Sequence, residues 1–180
     1  AYDSLSFLAL AMTLIYLLVE TLTRVHAAGL EVMSWPFVLT TAAAAFGPTA
    51  PRLDPKFDTP LFVLHTLPAV GGVAAIAISG IFGLLYLRMA RAIRRKQFGP
   101  AFQRLPDLEI LARMNFWAGI FGLVLATGAI GFGATWYGRL FERVDVREPK
   151  IFLTLVIWTI LLIPVAGKLT RRLSARAAAY

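Results

Sequence analysis

A chain of 180 residues that is 58% hydrophobic, with a mean hydropathy of +0.71, holds more apolar surface than a water-soluble domain of its size buries, which excludes a soluble enzyme or binding module. Eighteen lysines and arginines against ten acids give a formal net charge of +8, yet the basic residues stand at the ends of apolar stretches, which points to a membrane surface and away from nucleic acid. There is no cysteine, so the chain supplies no disulfide, thiolate ligand or thioether, and its redox compartment stays open.

Five apolar stretches follow in chain order: Leu5–Leu22, Leu30–Phe46, Pro60–Leu87, Leu108–Trp136 and Ile151–Gly167. A bilayer core about 30 Å thick takes about 20 apolar residues in a helix, and all but the second meet or approach that length. The second carries Pro36, but its Ala42–Phe46 end suits a helix. The expected fold is an all-α, polytopic transmembrane bundle of about five spans, forming one domain over residues 1–180. The N-terminus lacks a basic region and has Asp3, unlike a cleavable leader. A start without Met and the abrupt Ala177–Tyr180 end are what a piece of a longer chain would show.

The first stretch ends near Glu20–Arg24, and Gly29 breaks the link to the second. Gly47–Pro55 holds three prolines in eight residues, which forbids a helix interior and makes it a loop. Pro60 suits the first turn of the third helix. That helix is long enough to leave the membrane with a basic extension, Arg88–Lys96, which meets anionic headgroups, and Gly99-Pro100 ends it. Leu105–Glu109 opens the fourth helix, with acids at its positive end. Gly119, Gly122, Gly128, Gly131 and Gly133 then let a neighbouring helix approach closely. The run Arg139–Lys150 alternates in sign, as a salt-bridged, water-facing segment or a docking site would. No internal repeat or low-complexity segment occurs.

Charge sets the expected orientation. One side gathers Arg24, Arg88, Arg91, Arg94, Arg95, Lys96, Arg104, Arg113, Lys168, Arg171, Arg172 and Arg176 against Glu20, Glu31, Asp107 and Glu109, a balance of +8. The other holds Arg52, Lys56, Arg139, Arg143, Arg147 and Lys150 against Asp3, Asp54, Asp58, Glu142, Asp145 and Glu148, a balance of zero. The positive-inside rule puts the first side and the C-terminus in the cytoplasm. Gly47–Thr59 and Tyr137–Lys150 then face outward from an inner (cytoplasmic) membrane.

Few residues carry chemistry. His65 sits near the outer end of the third stretch, where an imidazole is costly unless paired or coordinated. It is either a ligand, through a neutral nitrogen, or a hydrogen-bonding link between helices. His26 lies beside Arg24 in a short turn, as a wetted residue would. Trp35 and Trp136 read as an interfacial aromatic belt, Trp117 and Trp158 as deeper packing residues, and Arg113 and Asn115 as polar groups wetted near the interface. There is no intramembrane carboxylate pair, no Ser/His/Asp constellation, no HExxH and no phosphate-cradling glycine loop. Binding or assembly is therefore expected over catalysis, and no mid-membrane charge marks a transport path.

In this setting the order of motifs resembles the cytochrome c assembly family of membrane haem-handling proteins, along most of the chain. Tyr2-Asp3-Ser4-Leu5 resembles the family's "Y-E-S-L" lead into a helix. Leu64-His65 is similar to its "L-H" at an outer helix end, Leu84–Leu87 to its "LLYL", and Leu105–Glu109 to its "LPxLE". Gly131–Trp136 resembles "GxxxGAxWA", and Pro149-Lys150 with Trp158 resembles the "WDPKE…W" stretch. The resemblance implies haem as cofactor, His65 as an axial ligand, and delivery of haem outward to an apocytochrome. The departures are as specific. Where the family has a tryptophan-rich loop as a platform for haem, this chain has Phe141–Lys150, with every tryptophan replaced and several replacements charged. Where the family has a membrane histidine eight residues after Trp158, this chain has Ala166. Of the ligand positions only His65 survives, so the resemblance implies a haem site that is degenerate. The alternative is a non-catalytic structural or assembly subunit, docked through its glycine-lined fourth helix and charged loop into a larger membrane complex.

Overall fold

The computed structural model describes residues 2–24, 28–45, 60–96, 105–141 and 148–177. They form five helices: α1 (Tyr2–Thr23), α2 (Gly29–Ala45), α3 (Pro60–Arg94), α4 (Leu108–Phe141) and α5 (Pro149–Ala177). No strand occurs among the described residues. Four helices hold apolar spans long enough to cross a bilayer: Leu5–Thr23, Pro60–Arg94, Leu108–Arg139 and Ile151–Thr170. The protein is thus a helical membrane bundle. α2 has 17 residues and, at 1.5 Å per residue, reaches about 26 Å, just short of a bilayer core. Of the expected five spans, four are long enough to cross, and the second apolar stretch forms the shorter helix α2.

Helix boundaries follow local chemistry. α1 ends where Arg24 turns left-handed (φ 56°) and its N–H reaches the Glu20 carbonyl at 2.7 Å. α3 ends the same way at Lys96 (φ 53°), ahead of Gly99-Pro100, which lies outside the described residues. Gly29 opens α2 as its first helical residue, and a Cβ there would meet the Tyr16 hydroxyl at 3.2 Å. Pro60 and Pro149 each begin a helix, where the missing N–H has no intrahelical partner to lose. α4 continues past Trp136 to Phe141, so Arg139 is helical and the loop starts later than its charge pattern suggested. Tyr137 donates its hydroxyl to the Glu148 carboxylate at 3.1 Å, tying the end of α4 to the start of α5.

The hydrophobic core lies toward the basic end of the bundle. Met12, Ile15, Tyr16 and Val19 recur on one face of α1, and Ala74, Ala75, Ile78, Phe82, Leu85 and Met89 on one face of α3. They close on Val32 of α2 and on Leu111, Met114 and Ala118 of α4. Arg113 donates to the Thr23 carbonyl at 3.4 Å, so the end of α1 lies beside the start of α4. α5 stands outside this core: no residue of its apolar span is buried.

α3 and α4 form the longest seam. Gly83 faces Asn115, Ile76 faces Gly122, Gly72 faces Ala126, His65 faces Gly133, and the rings of Phe62 and Trp136 meet. Each step back along α3 is matched by an equal step forward along α4, so the helices are antiparallel and hold one register. Phe62 to Gly83 covers about 31 Å of helix, the thickness of the hydrocarbon layer. Because α3 and α1 both end beside the start of α4, they point the same way, and the chain between them returns across the bundle by way of α2. Small residues permit the close approach, since lipid offers no hydrophobic drive to push helices together.

Polar side chains lock the register. Asn115 Nδ2 donates to the Ser79 carbonyl at 2.8 Å, and Ser79 Oγ donates to the Asn115 carbonyl at 3.2 Å. Asn115 is therefore committed across the seam, where the sequence suggested a wetted residue. Interhelical bonds of this kind contribute about 0.6–1.7 kcal/mol in membranes. Asn115→Ala is expected to lower unfolding free energy in detergent by about 1 kcal/mol. Ser79→Ala, which deletes only the longer bond, is expected to lower it by less, and equal losses would contradict this assignment.

Candidate functional site at the end of the α3–α4 seam

His65 stands one turn into α3, at the end of the seam away from the core and the basic cluster. Its placement follows from two helix faces. Phe62 and His65 share a face of α3 at i, i+3, and Ala129, Gly133 and Trp136 share a face of α4 at i, i+4, i+7. In the antiparallel register these faces meet.

The imidazole is held from three directions. Its Nδ1 lies 2.8 Å from the Ala129 carbonyl oxygen. A carbonyl only accepts, so Nδ1 carries the proton and donates it. In the neutral ring, Nε2 then keeps its lone pair. Below the ring is Gly133, whose hypothetical Cβ would lie 2.7 Å from Nδ1 and 2.9 Å from Cε1. Any side chain there would have to displace the ring. Beside the ring, Trp136 stacks nearly parallel, with centroids 6.1 Å apart and planes 12° apart, and Phe62 tilts against Trp136 at 5.3 Å. His65 is half-buried, with one wall of the site aromatic.

This donor set suits a particular kind of ligand. Among the described residues, no three His, Cys, Asp or Glu side chains gather as a metal cage would need. A single imidazole with a fixed tautomer fits a metal that arrives with most of its ligands already supplied, as in a macrocycle. A carbonyl accepting from the far nitrogen orients such a ligand and raises its basicity. Haem fits these residues in that limited sense.

The other singled-out residues fall elsewhere. His26 and most of the Phe141–Lys150 run, including Glu142 to Arg147, lie outside the described residues. Trp35 is 54% exposed on α2, as a lipid-facing residue would be. Trp117 packs among Phe116 and Phe121, and Trp158 donates Nε1–H to Thr127 Oγ1 at 2.9 Å between α5 and α4. Arg88, Arg91, Arg94, Arg95 and Lys96 are exposed at the end of α3. Ala166 is half-buried on α5. By sequence Trp136 is an interfacial belt residue, yet it packs on His65. The i, i+4, i+7 spacing of Ala129, Gly133 and Trp136 was the signal that could have joined it to the site.

All of the chain, residues 1–180, matches the family model described as Cytochrome C assembly protein. No curated protein and no solved structure matches it.

Proposed function

This chain belongs to the cytochrome c assembly family, and we propose that it holds haem through His65 at the less basic face of an inner (cytoplasmic) membrane, for delivery to an apocytochrome. The observation that carries the proposal is the oriented imidazole: Nδ1–H bound to the Ala129 carbonyl at 2.8 Å, Gly133 leaving room beneath, and Nε2 left as the ligand nitrogen. Bound haem supplies an iron that accepts one such nitrogen. His65 offers the electron pair, Ala129 and Gly133 hold the ring against rotation, and Phe62 and Trp136 shield one side from water. Where the family has a tryptophan-rich platform, this chain has Phe141–Lys150, with every tryptophan replaced, several by charges. In our reading the site is therefore degenerate: it orients haem weakly and depends on a partner subunit to complete it.

A second reading, a non-catalytic subunit docked in a larger membrane complex, is favoured by one feature. The apolar span of α5 has no buried residue, leaving a whole helix face for another protein. The test is the absorption spectrum of purified protein after haem loading, wild type beside His65→Ala. A Soret band that co-elutes with the wild type and is lost in His65→Ala supports haem handling. No band in the wild type, with partner subunits retained in mild detergent, supports the docked subunit.

A further inference from the structure

Near its basic end the bundle has a recess of about 60 Å³, lined by Ser79 of α3, by Asn115, Phe116 and Gly119 of α4, and by Pro164 and Lys168 of α5. That is well above the ~10–15 Å³ that one water needs, so it admits a small polar group. Most of the lining is apolar, and three of its residues carry polar groups: Ser79, Asn115 and Lys168. The Asn115 amide N–H₂ and the Ser79 hydroxyl already donate to each other's backbone carbonyls. That leaves Asn115 Oδ1 as an acceptor and the Lys168 ammonium as the cation of the lining. Lys168 Nζ sits 5.6 Å from the centroid of the Phe116 ring. A ring face satisfies one side of an ammonium that has three N–H donors. Among the described residues no carboxylate forms an ion pair with it.

We infer that this recess binds the phosphodiester headgroup of an anionic phospholipid from the leaflet on the basic side. Three observations select that occupant. An ammonium at the edge of the hydrocarbon is costly unless it meets an anion or water. The recess lies toward the end of the bundle to which α3 carries Arg88, Arg91, Arg94, Arg95 and Lys96, beyond Ser79 in the chain, and basic recesses between membrane helices suit anionic headgroups. The α5 surface around it is apolar and unburied, so acyl chains can run along the helix while the phosphate meets Lys168. Gly119 keeps the floor open: a Cβ there would stand 3.7 Å from both Ser79 Oγ and Val165 Cγ2, in ordinary contact. The lipid would bridge α5, the least packed helix, to the α3–α4 pair. This site does not depend on the haem reading, since it lies at the opposite end of the seam from His65.

The test is native mass spectrometry of the full chain, delipidated in detergent and given phosphatidylglycerol or phosphatidylethanolamine. The wild type is expected to retain one phosphatidylglycerol in preference to the zwitterionic lipid. Lys168→Ala, at an exposed position that does not hold the fold, is expected to weaken that preference about five-fold. Arg94→Ala, in the exposed cluster, is expected to change it less, and excess inorganic phosphate is expected not to displace the lipid. Equal losses in Lys168→Ala and Arg94→Ala would show diffuse surface attraction and overturn the site. Displacement by phosphate alone would overturn the lipid as its occupant.

Discussion

Gly133→Leu is expected to strip the protein of haem as completely as His65→Ala, although position 133 bears no ligand atom. The backbone at 133 is the surface on which the imidazole rests, and even a Cβ would come within 2.7 Å of Nδ1. A leucine must push the ring off the Ala129 carbonyl. Nδ1 then loses its acceptor, the tautomer is no longer fixed, and the ring leaves its place beside Trp136. Loss of an orienting hydrogen bond costs about 10–100-fold in metal affinity, and displacement of the ring itself belongs at the upper end of that range. The helix should not suffer, because leucine is the better helix former. Gly131→Leu supplies the control. It lies two residues away in the same motif, but a Cβ there meets nothing within 4 Å, so haem retention should stay at the wild-type level. Haem titration followed by absorbance separates the two. Equal behaviour of the 131 and 133 variants would show that the cradle has no role.

The second large effect concerns the seam. Gly72 packs against the backbone of α4, with a hypothetical Cβ 3.3 Å from the Ala126 nitrogen. A backbone atom cannot rotate away as a side chain can. Gly72→Leu therefore forces the helices apart along a register that also carries the Ser79–Asn115 bonds and the His65 contact. Overpacking of this kind costs about 1–3 kcal/mol, which corresponds to a fall of about 2–12 °C in the apparent Tm of a chain this long. Gly80→Leu, at an exposed position of the same helix, is the matched comparison: a Cβ at 80 has nothing within 4 Å, and stability should change by no more than about 0.5 kcal/mol. Thermal unfolding in detergent reads both. A Gly72→Leu protein as stable as the Gly80→Leu protein would mean that the seam is not closely packed.

The four long spans are written in apolar runs that survive any choice of register, and Pro60, Pro149 and Leu105–Glu109 mark helix starts by chemistry that acts within one turn. The ends were harder. α3 stops at a left-handed lysine before its Gly-Pro, and α4 runs past Trp136, because helix ends depend on what surrounds them as well as on composition. The seam was half legible: glycines in the fourth stretch announced close approach, but which residue of α3 meets each is a matter of register, which a single sequence does not encode locally. For that reason Asn115 read as a wetted residue, although it bonds Ser79 across the interface. His65 stood out as an imidazole within an apolar run. Its surroundings did not, since Ala129 contributes only a carbonyl, Gly133 only an empty place, and Trp136 a ring that also suits an interface.

We propose that His65 Nε2 is a ligand nitrogen held at the end of the seam away from the basic cluster. It is tested most directly by chemical rescue. His65→Gly removes the imidazole and leaves the space it filled above Gly133. Haem should fail to co-elute with this variant, and adding free imidazole should restore a co-eluting Soret band, because the small molecule takes the vacated place. A His65→Gly protein that carries as much haem as the wild type, with a band that imidazole does not change, would contradict the account.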